Sequence, residues 1–192
     1  MDLPYFNDRD FRQNDLDNNR MPKGEYEKCR FKSCDLSDKD ISGFKFDVCF
    51  FEDCNFSMVK IQKTALRNVI FKDCKMLGMR FEDCLEFGLL LTFDHCQLNH
   101  ATFIGKRFRK STFRNCELAE VDFSDGDMTD SLFANCNLER ALFENTNLAG
   151  TDFSTAYNFS IDLQSNFLER ARFSLTGLPG LLKKYRLIIV EL

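Results

Sequence analysis

The chain of 192 residues has no tryptophan, only two histidines and three prolines. Chemistry that draws on several imidazoles is therefore nearly excluded from the start. Neither sign of charge dominates. Lys and Arg number 26 and Asp and Glu 30, a net charge of −4. That balance provides no global attraction to nucleic acid or to an anionic membrane. No apolar run approaches the ~20 residues that span a bilayer. The opening Met1-Asp2-Leu3-Pro4-Tyr5 lacks a basic n-region and an apolar h-region, so no secretory signal is expected. The length suits one domain. An apolar fraction of 44% is that of a folded chain rather than a disordered one.

What the chain does have is 22 phenylalanines, nine cysteines and a period. Every fifth residue from Phe11 through Leu16, Met21, Tyr26 and Phe31 to Phe81 is apolar. After a slip of two residues the series resumes at Phe93 and runs through Leu98, Phe103 and Phe108 to Phe153. All 28 positions comply, against a chance expectation of roughly 10⁻¹⁰ at this composition. A period of five matches neither an amphipathic helix nor a plain strand. The residue two before each apolar centre shares its face in extended chain. It is mostly small: Cys34, Cys54, Thr64, Ala101, Ser111, Val121. The other three residues of each five are mostly polar.

Units such as Cys136-Asn137-Leu138, Thr146-Asn147-Leu148 and Thr151-Asp152-Phe153 resemble the A-(D/N)-L-x-x unit of the pentapeptide-repeat family. The resemblance covers about residues 6 to 178. It implies an all-β fold, a right-handed quadrilateral β-helix with four pentapeptides per coil and about eight coils. The spacing tests the coil length by itself. Phe11, Phe31, Phe51, Phe71, Phe93, Phe113, Phe133, Phe153 and Phe173 recur at 20 residues, or 22 across the slip. Cys34, Cys54, Cys74, Cys96, Cys116 and Cys136 do the same. Stacked aromatic and thiol ladders are expected, in a rod about 40 Å tall at ~4.8 Å per coil.

All nine cysteines stand two residues before a centre. That placement reads as small buried hydrophobes. The spacings are not those of a zinc site, no histidine accompanies them, and parallel Cβ vectors suit disulfides poorly. No metal, cofactor or catalytic residue is expected. Reduced thiols in this number suit a cytoplasmic location. His95 and His100 fall on successive corners, where convergence with carboxylates is not expected.

The ends need covering. Leu3, Pro4, Tyr5 and Phe6 are expected to close the first coil. The repeat breaks at Asn158 and resumes with Leu163, Leu168, Phe173 and Leu178. Pro179 then opens a short helix, with Leu178, Leu181, Leu182 and Tyr185 at helical spacing. Leu187-Ile188-Ile189-Val190 reads as a final strand. The 157–162 stretch Tyr-Asn-Phe-Ser-Ile-Asp, Phe173-Ser174-Leu175 and the 180–185 stretch Gly-Leu-Leu-Lys-Lys-Tyr resemble the end of the quinolone-resistance (Qnr-type) subgroup. In that subgroup the end module makes a two-fold dimer, whose rod mimics B-form DNA and binds DNA gyrase or topoisomerase IV. The resemblance implies a homodimer through Leu178, Leu181, Leu182, Tyr185, Ile188 and Val190. Such a dimer is about 80 Å long, roughly 24 base pairs of duplex. The subgroup's long projecting loops are missing. The one interior interruption is the slip within residues 82–92, which has room for a bulge only. That weakens the case for quinolone protection.

Three surfaces stand out. Residues 117–156 hold nine acids, among them Glu117, Glu120, Asp122, Asp125, Asp127 and Asp130, against Arg140 alone. Six fall within one coil, so they ring the rod. They read either as a phosphate mimic for a basic DNA-binding partner or as a solvated face. A basic run, Lys106, Arg107, Arg109, Lys110 and Arg114, precedes them and disperses over several faces. At the slip, Glu86 stands where a centre belongs. Phe87, Leu89 and Leu90 form either an exposed apolar patch or the filling of a β-bulge. Two non-enzymatic readings follow. One is a DNA-mimicking rod acting on a type II topoisomerase, without direct contact to nucleic acid or membrane. The other is a scaffold for an unrelated protein partner.

Overall fold

The computed structural model describes residues 3–16 and 21–190. Met1 and Asp2, on which the signal-peptide reading partly rests, lie outside the described residues. The chain winds as a four-sided solenoid, each side one pentapeptide. One side is a nine-stranded parallel sheet: Asp10–Arg12, Arg30–Lys32, Phe50–Glu52, Val69–Lys72, Leu91–Asp94, Thr112–Arg114, Leu132–Ala134, Asp152–Phe153 and Arg172–Phe173. The side before it begins as a four-stranded parallel sheet: Tyr5–Asn7, Glu25–Glu27, Lys45–Asp47 and Ala65–Arg67. Register is direct throughout, with Phe11 opposite Phe31 and Phe113 opposite Phe133. The other two sides stack through single parallel bridges, such as Glu117 to Asn137 and Thr102 to Asp122.

The square corner has a local cause. The residue two after most centres takes a left-handed conformation, with φ from 50° at Asn68 to 73° at Gly43. Asn, Asp and Gly tolerate that region best, which accounts for Asp53, Asp73, Asn115, Asn135 and Gly150 at corners. The residue before the centre is often Asp or Asn for a second reason. Its side chain accepts a hydrogen bond from the backbone N–H two residues on, as Asp122 does from Ser124 at 2.9 Å and Asn147 from Ala149 at 3.1 Å. Left-handed corners turn the chain from side to side, and where Asp or Asn precedes the centre an Asx turn reinforces them.

The centres fill the rod. Phe31, Phe51, Phe71, Phe93, Phe113 and Phe133 are all fully buried. Rings in one column stack, with centroids 4.9 Å apart for Phe93–Phe113 and 4.7 Å for Phe113–Phe133. Rings from neighbouring sides meet edge-on, as Phe103 and Phe108 do at 5.0 Å and 82°, and so do rings from opposite sides, as Phe103 and Phe113 do at 5.8 Å and 81°. Both geometries are favourable for aromatic quadrupoles, at about 0.5–1.5 kcal/mol per pair beyond area burial.

All nine cysteines are free and buried. Their thiols lie within hydrogen-bonding range of backbone carbonyls, Cys54 of Phe31 and Cys74 of Phe51, each at 3.5 Å. Burial pushes Cys49 up to about 12 and Cys84 up to about 11. Both therefore remain neutral thiols, which are poor nucleophiles and poor metal ligands.

Both ends differ from the sequence expectation. Tyr5–Asn7 does not fold across the first coil; it is that coil's first strand, and Pro4 accepts a hydrogen bond from the Glu25 N–H. At the far end Leu163 is exposed, while Phe159 and Ile161 turn inward. Phe159 meets Phe153 and Phe173 at tilts near 50° rather than in a stack. A helix of Pro179–Leu182 and a 3-10 turn of Lys183–Tyr185 follow. Gly180 is required here, because a Cβ would lie 2.7 Å from the Phe159 ring. Ile161 N–H bonds the Gly180 carbonyl, and Lys184 bonds Asp162 at 2.7 Å. Residues 187–190 are not a strand: they have no ladder partner among the described residues, and extended backbone becomes a strand only by pairing.

Candidate functional site

The six acids occupy two kinds of position. Glu117, Asp122 and Asp127 precede a centre on three successive sides. Glu120, Asp125 and Asp130 take the left-handed corners, with φ of 57° or 58°. They ring the rod as the spacing predicts. They are not equivalent. Asp122 and Asp127 are half-buried, and each closes an Asx turn. Asp127 also receives Arg109 Nε at 2.7 Å and Arg109 Nη2 at 2.6 Å. Burial alone raises its carboxyl, but the bonds from Arg109 and Thr129 outweigh burial and hold it below the usual range. Glu117, Glu120, Asp125 and Asp130 are exposed. Glu120 lies between Arg140 at 3.3 Å and His100 at 3.4 Å. Glu117 and Asp125 accept only from Asn137 and Asn145, one coil on. Asp130 keeps its place because Gly150 leaves room: a Cβ there would lie 2.3 Å from its Oδ1. Among the described residues, Glu117, Asp125 and Asp130 make no ion pair.

The basic run disperses. Lys106 reaches inward and donates to the Cys84 carbonyl. In a regular coil that carbonyl accepts a backbone N–H, as the Cys74 carbonyl does from Gln97. Arg107 pairs with Glu86 at 3.6 Å. Lys110 and Arg114 face solvent.

The two extra residues are localised by register. Ala65 pairs with Leu85 and Val69 with Leu91, so residues 86–90 oppose 66–68. The chain turns back on itself there. Leu89 N–H bonds the Glu86 carbonyl at 3.2 Å, Gly88 takes φ 76°, and Arg67 faces Leu89 in an antiparallel bridge. This excursion ends the four-stranded sheet. Its apolar residues part company, contrary to a single exposed patch. Leu89 turns inward at 9% exposure, whereas Phe87 projects at 79% and Leu90 is exposed.

In the C-terminal module Leu181 is buried and Leu182 half-buried, while Leu178 and Tyr185 are exposed. Ile188 and Val190 are the most open, at 93% and 74%. His95 and His100 do not converge; each meets one carboxylate, Asp94 at 2.9 Å and Glu120 at 3.4 Å. No group of three or more metal-ligating side chains is gathered among the described residues. Nor is any helix there long and apolar enough to cross a membrane.

A solenoid of stacked pentapeptide sides with this turn chemistry is a pentapeptide-repeat β-helix. Residues 89–153 match the family model described as a pentapeptide repeat region. Among solved structures, a trypsin-treated variant of QnrB1, a plasmid-mediated fluoroquinolone resistance protein, is similar at 19% identity over 99% of both chains, with a TM-score of 0.50. A second trypsin-treated QnrB1 variant is similar at 18% identity over 97% of both chains, with a TM-score of 0.48. HetL, a pentapeptide repeat protein involved in heterocyst differentiation regulation from the cyanobacterium Nostoc, shares 11% identity over 90% of this chain and 86% of its own, with a TM-score of 0.36. At such identities the likeness is one of fold. No curated protein sequence matches.

Proposed function

We propose that this chain is a non-enzymatic cytoplasmic binding protein, a rod whose acidic surface imitates the phosphates of DNA toward a type II topoisomerase. The observation that carries this reading is the coil of Glu117, Glu120, Asp125 and Asp130. Four exposed carboxylates circle a rod with a regular rise, and among the described residues three of them have no cation in contact. Such a surface attracts a basic DNA-binding saddle over long range. Homodimerisation through Ile188, Val190, Leu178 and Tyr185 is part of the proposal. These exposed apolar side chains flank a helix docked on the last coil, Leu178 before it and the others after, and covering them doubles the rod's length. The acidic coil then lies toward the middle of the assembly.

The test is a supercoiling titration with purified DNA gyrase and topoisomerase IV, with and without a fluoroquinolone. Inhibition at micromolar protein is expected. Restored supercoiling in the presence of drug would add quinolone protection. The variant Glu117→Gln, Glu120→Gln, Asp125→Asn, Asp130→Asn should lose about tenfold in potency and much of its salt sensitivity. Asp122→Ala with Asp127→Ala should cost stability instead, since both side chains hold turns that alanine cannot close. No effect of the wild-type protein on either enzyme from its own source would refute the reading. A second reading, a scaffold for an unrelated protein, is favoured by the projection of Phe87.

A further inference from the structure

The insertion is where the regular bonding of the solenoid fails. Among the described residues, two buried side-chain polar atoms have no hydrogen-bond partner, Arg67 Nε and Ser111 Oγ. Both border residues 86–90. One coil on, Ser131 donates to the Phe108 carbonyl and Thr151 to the Met128 carbonyl. For Ser111 the equivalent carbonyl belongs to the reversed segment, which has turned away. Arg67 lies under the projecting ring, with its guanidinium carbon 5.3 Å from the Phe87 centroid. Lys106 supplies from its side chain the bond that the Cys84 carbonyl would take from backbone. Between Leu85 and Leu91 the regular parallel ladder is therefore interrupted.

Beside it runs an open groove of about 520 Å³ lined by Glu86, Phe87, Gly88, Leu89, Arg107 and Arg109. Its apolar wall is the Phe87 ring, with Leu85 and Leu90 exposed nearby. Its polar wall holds two arginines against one carboxylate, Glu86. Arg109 is already committed to Asp127, but Arg107 is 71% exposed and has only the Glu86 contact at 3.6 Å. An exposed pair of that kind exchanges readily for another carboxylate.

We infer that this groove is a docking site for a short acidic peptide segment carrying an apolar side chain, presented by a protein partner. The carboxylates meet Arg107 and the apolar side chain packs on Phe87, an arrangement that pairs charge complementarity with aromatic anchoring. DNA is disfavoured as the occupant. The next coil carries the acidic ring, which repels a long polyanion, and the groove has the volume of a small cluster of side chains. The inference is separable from the topoisomerase reading, because it concerns a different coil and none of the six acids contacts the peptide.

The probe is a dye-labelled octapeptide of alternating glutamate and leucine, followed by fluorescence anisotropy against the full chain. Controls are the lysine–leucine counterpart and a short DNA duplex. The acidic peptide should bind saturably and at least about tenfold more tightly than the lysine peptide, and more weakly as salt rises. Phe87→Ser and Arg107→Glu should each weaken it by about fivefold or more, with thermal melts confirming that both variants fold. Glu86→Gln should strengthen it, because a competing carboxylate is removed. Arg107→Glu alone decides the matter if Phe87→Ser proves unfolded. Wild-type affinity in the variants, or equal binding of the lysine peptide or the duplex, would overturn the inference. Gyrase inhibition should be indifferent to Phe87→Ser, so this proposal and the acidic-surface proposal fail separately.

Discussion

Truncating one ring in the middle of the rod is the sharpest test of what holds the coils together. Phe113 is fully buried. It stacks on Phe93 at 4.9 Å and Phe133 at 4.7 Å, and meets Phe103 and Phe123 edge-on at 5.8 Å and 5.9 Å. Phe→Ala in a core costs about 3–5 kcal/mol through lost transfer and a residual cavity. Four ring contacts, two of them stacked, place Phe113→Ala at the top of that range, about 5 kcal/mol. Phe173 is the contrast. It belongs to the last coil and is only partly buried; it stacks on Phe153 at 5.3 Å and meets Phe159 at a tilt. Phe173→Ala should cost about 2 kcal/mol. The assay is equilibrium urea unfolding followed by far-UV circular dichroism. A drop in m for Phe113→Ala alone would show the array dividing at the defect, as stacked repeats do when cooperativity fails. A loss below about 2 kcal/mol at Phe113, or an equal loss at Phe173, would refute the view that inter-coil ring stacking carries the stability.

Val48 holds a left-handed corner at φ 53° with its side chain half open to solvent. Val48→Asn should therefore stabilise the chain by about 0.5–1 kcal/mol in the same urea assay, since a β-branched residue is strained there and asparagine is not. An Ellman titration of native protein should find essentially no reactive thiol, and denaturation should release all nine; early reaction of even one would contradict the closed core. The depressed carboxyl of Asp127 gives a pH signature. Its stabilisation is fully present above the unfolded carboxyl value of ~3.9 and is lost as pH falls through the lower folded value. Asp127→Asn should cost about 1 kcal/mol at pH 7 after solvent screening, and that difference should close as pH falls below the unfolded value. A difference independent of pH would refute the Arg109 pair as its source, since asparagine keeps the Asx turn.

The period of five, its recurrence at 20 and the placement of phenylalanine and cysteine were legible in the residues alone. The fold favours an apolar centre and a mostly small inward neighbour on each side, so one-dimensional order maps directly onto three dimensions. Phe93 and Phe113 stack because 20 residues make a coil, and that spacing is written in the chain. The acidic ring was legible as composition but not as chemistry. Asp122 and Asp130 look alike in sequence, yet one closes an Asx turn and the other stands at a left-handed corner facing solvent. Four of the six acids are surface, and two are turn hardware. At the slip, Phe87, Leu89 and Leu90 are equally apolar. Only the register of Ala65 with Leu85 and Val69 with Leu91 decided that Leu89 turns in and Phe87 out. At the far end Leu187-Ile188-Ile189-Val190 has every local preference of a strand and is not one. Local preference sets what a segment is able to be. Pairing sets what it becomes, because backbone hydrogen bonds between coils need a partner that no stretch of sequence contains by itself.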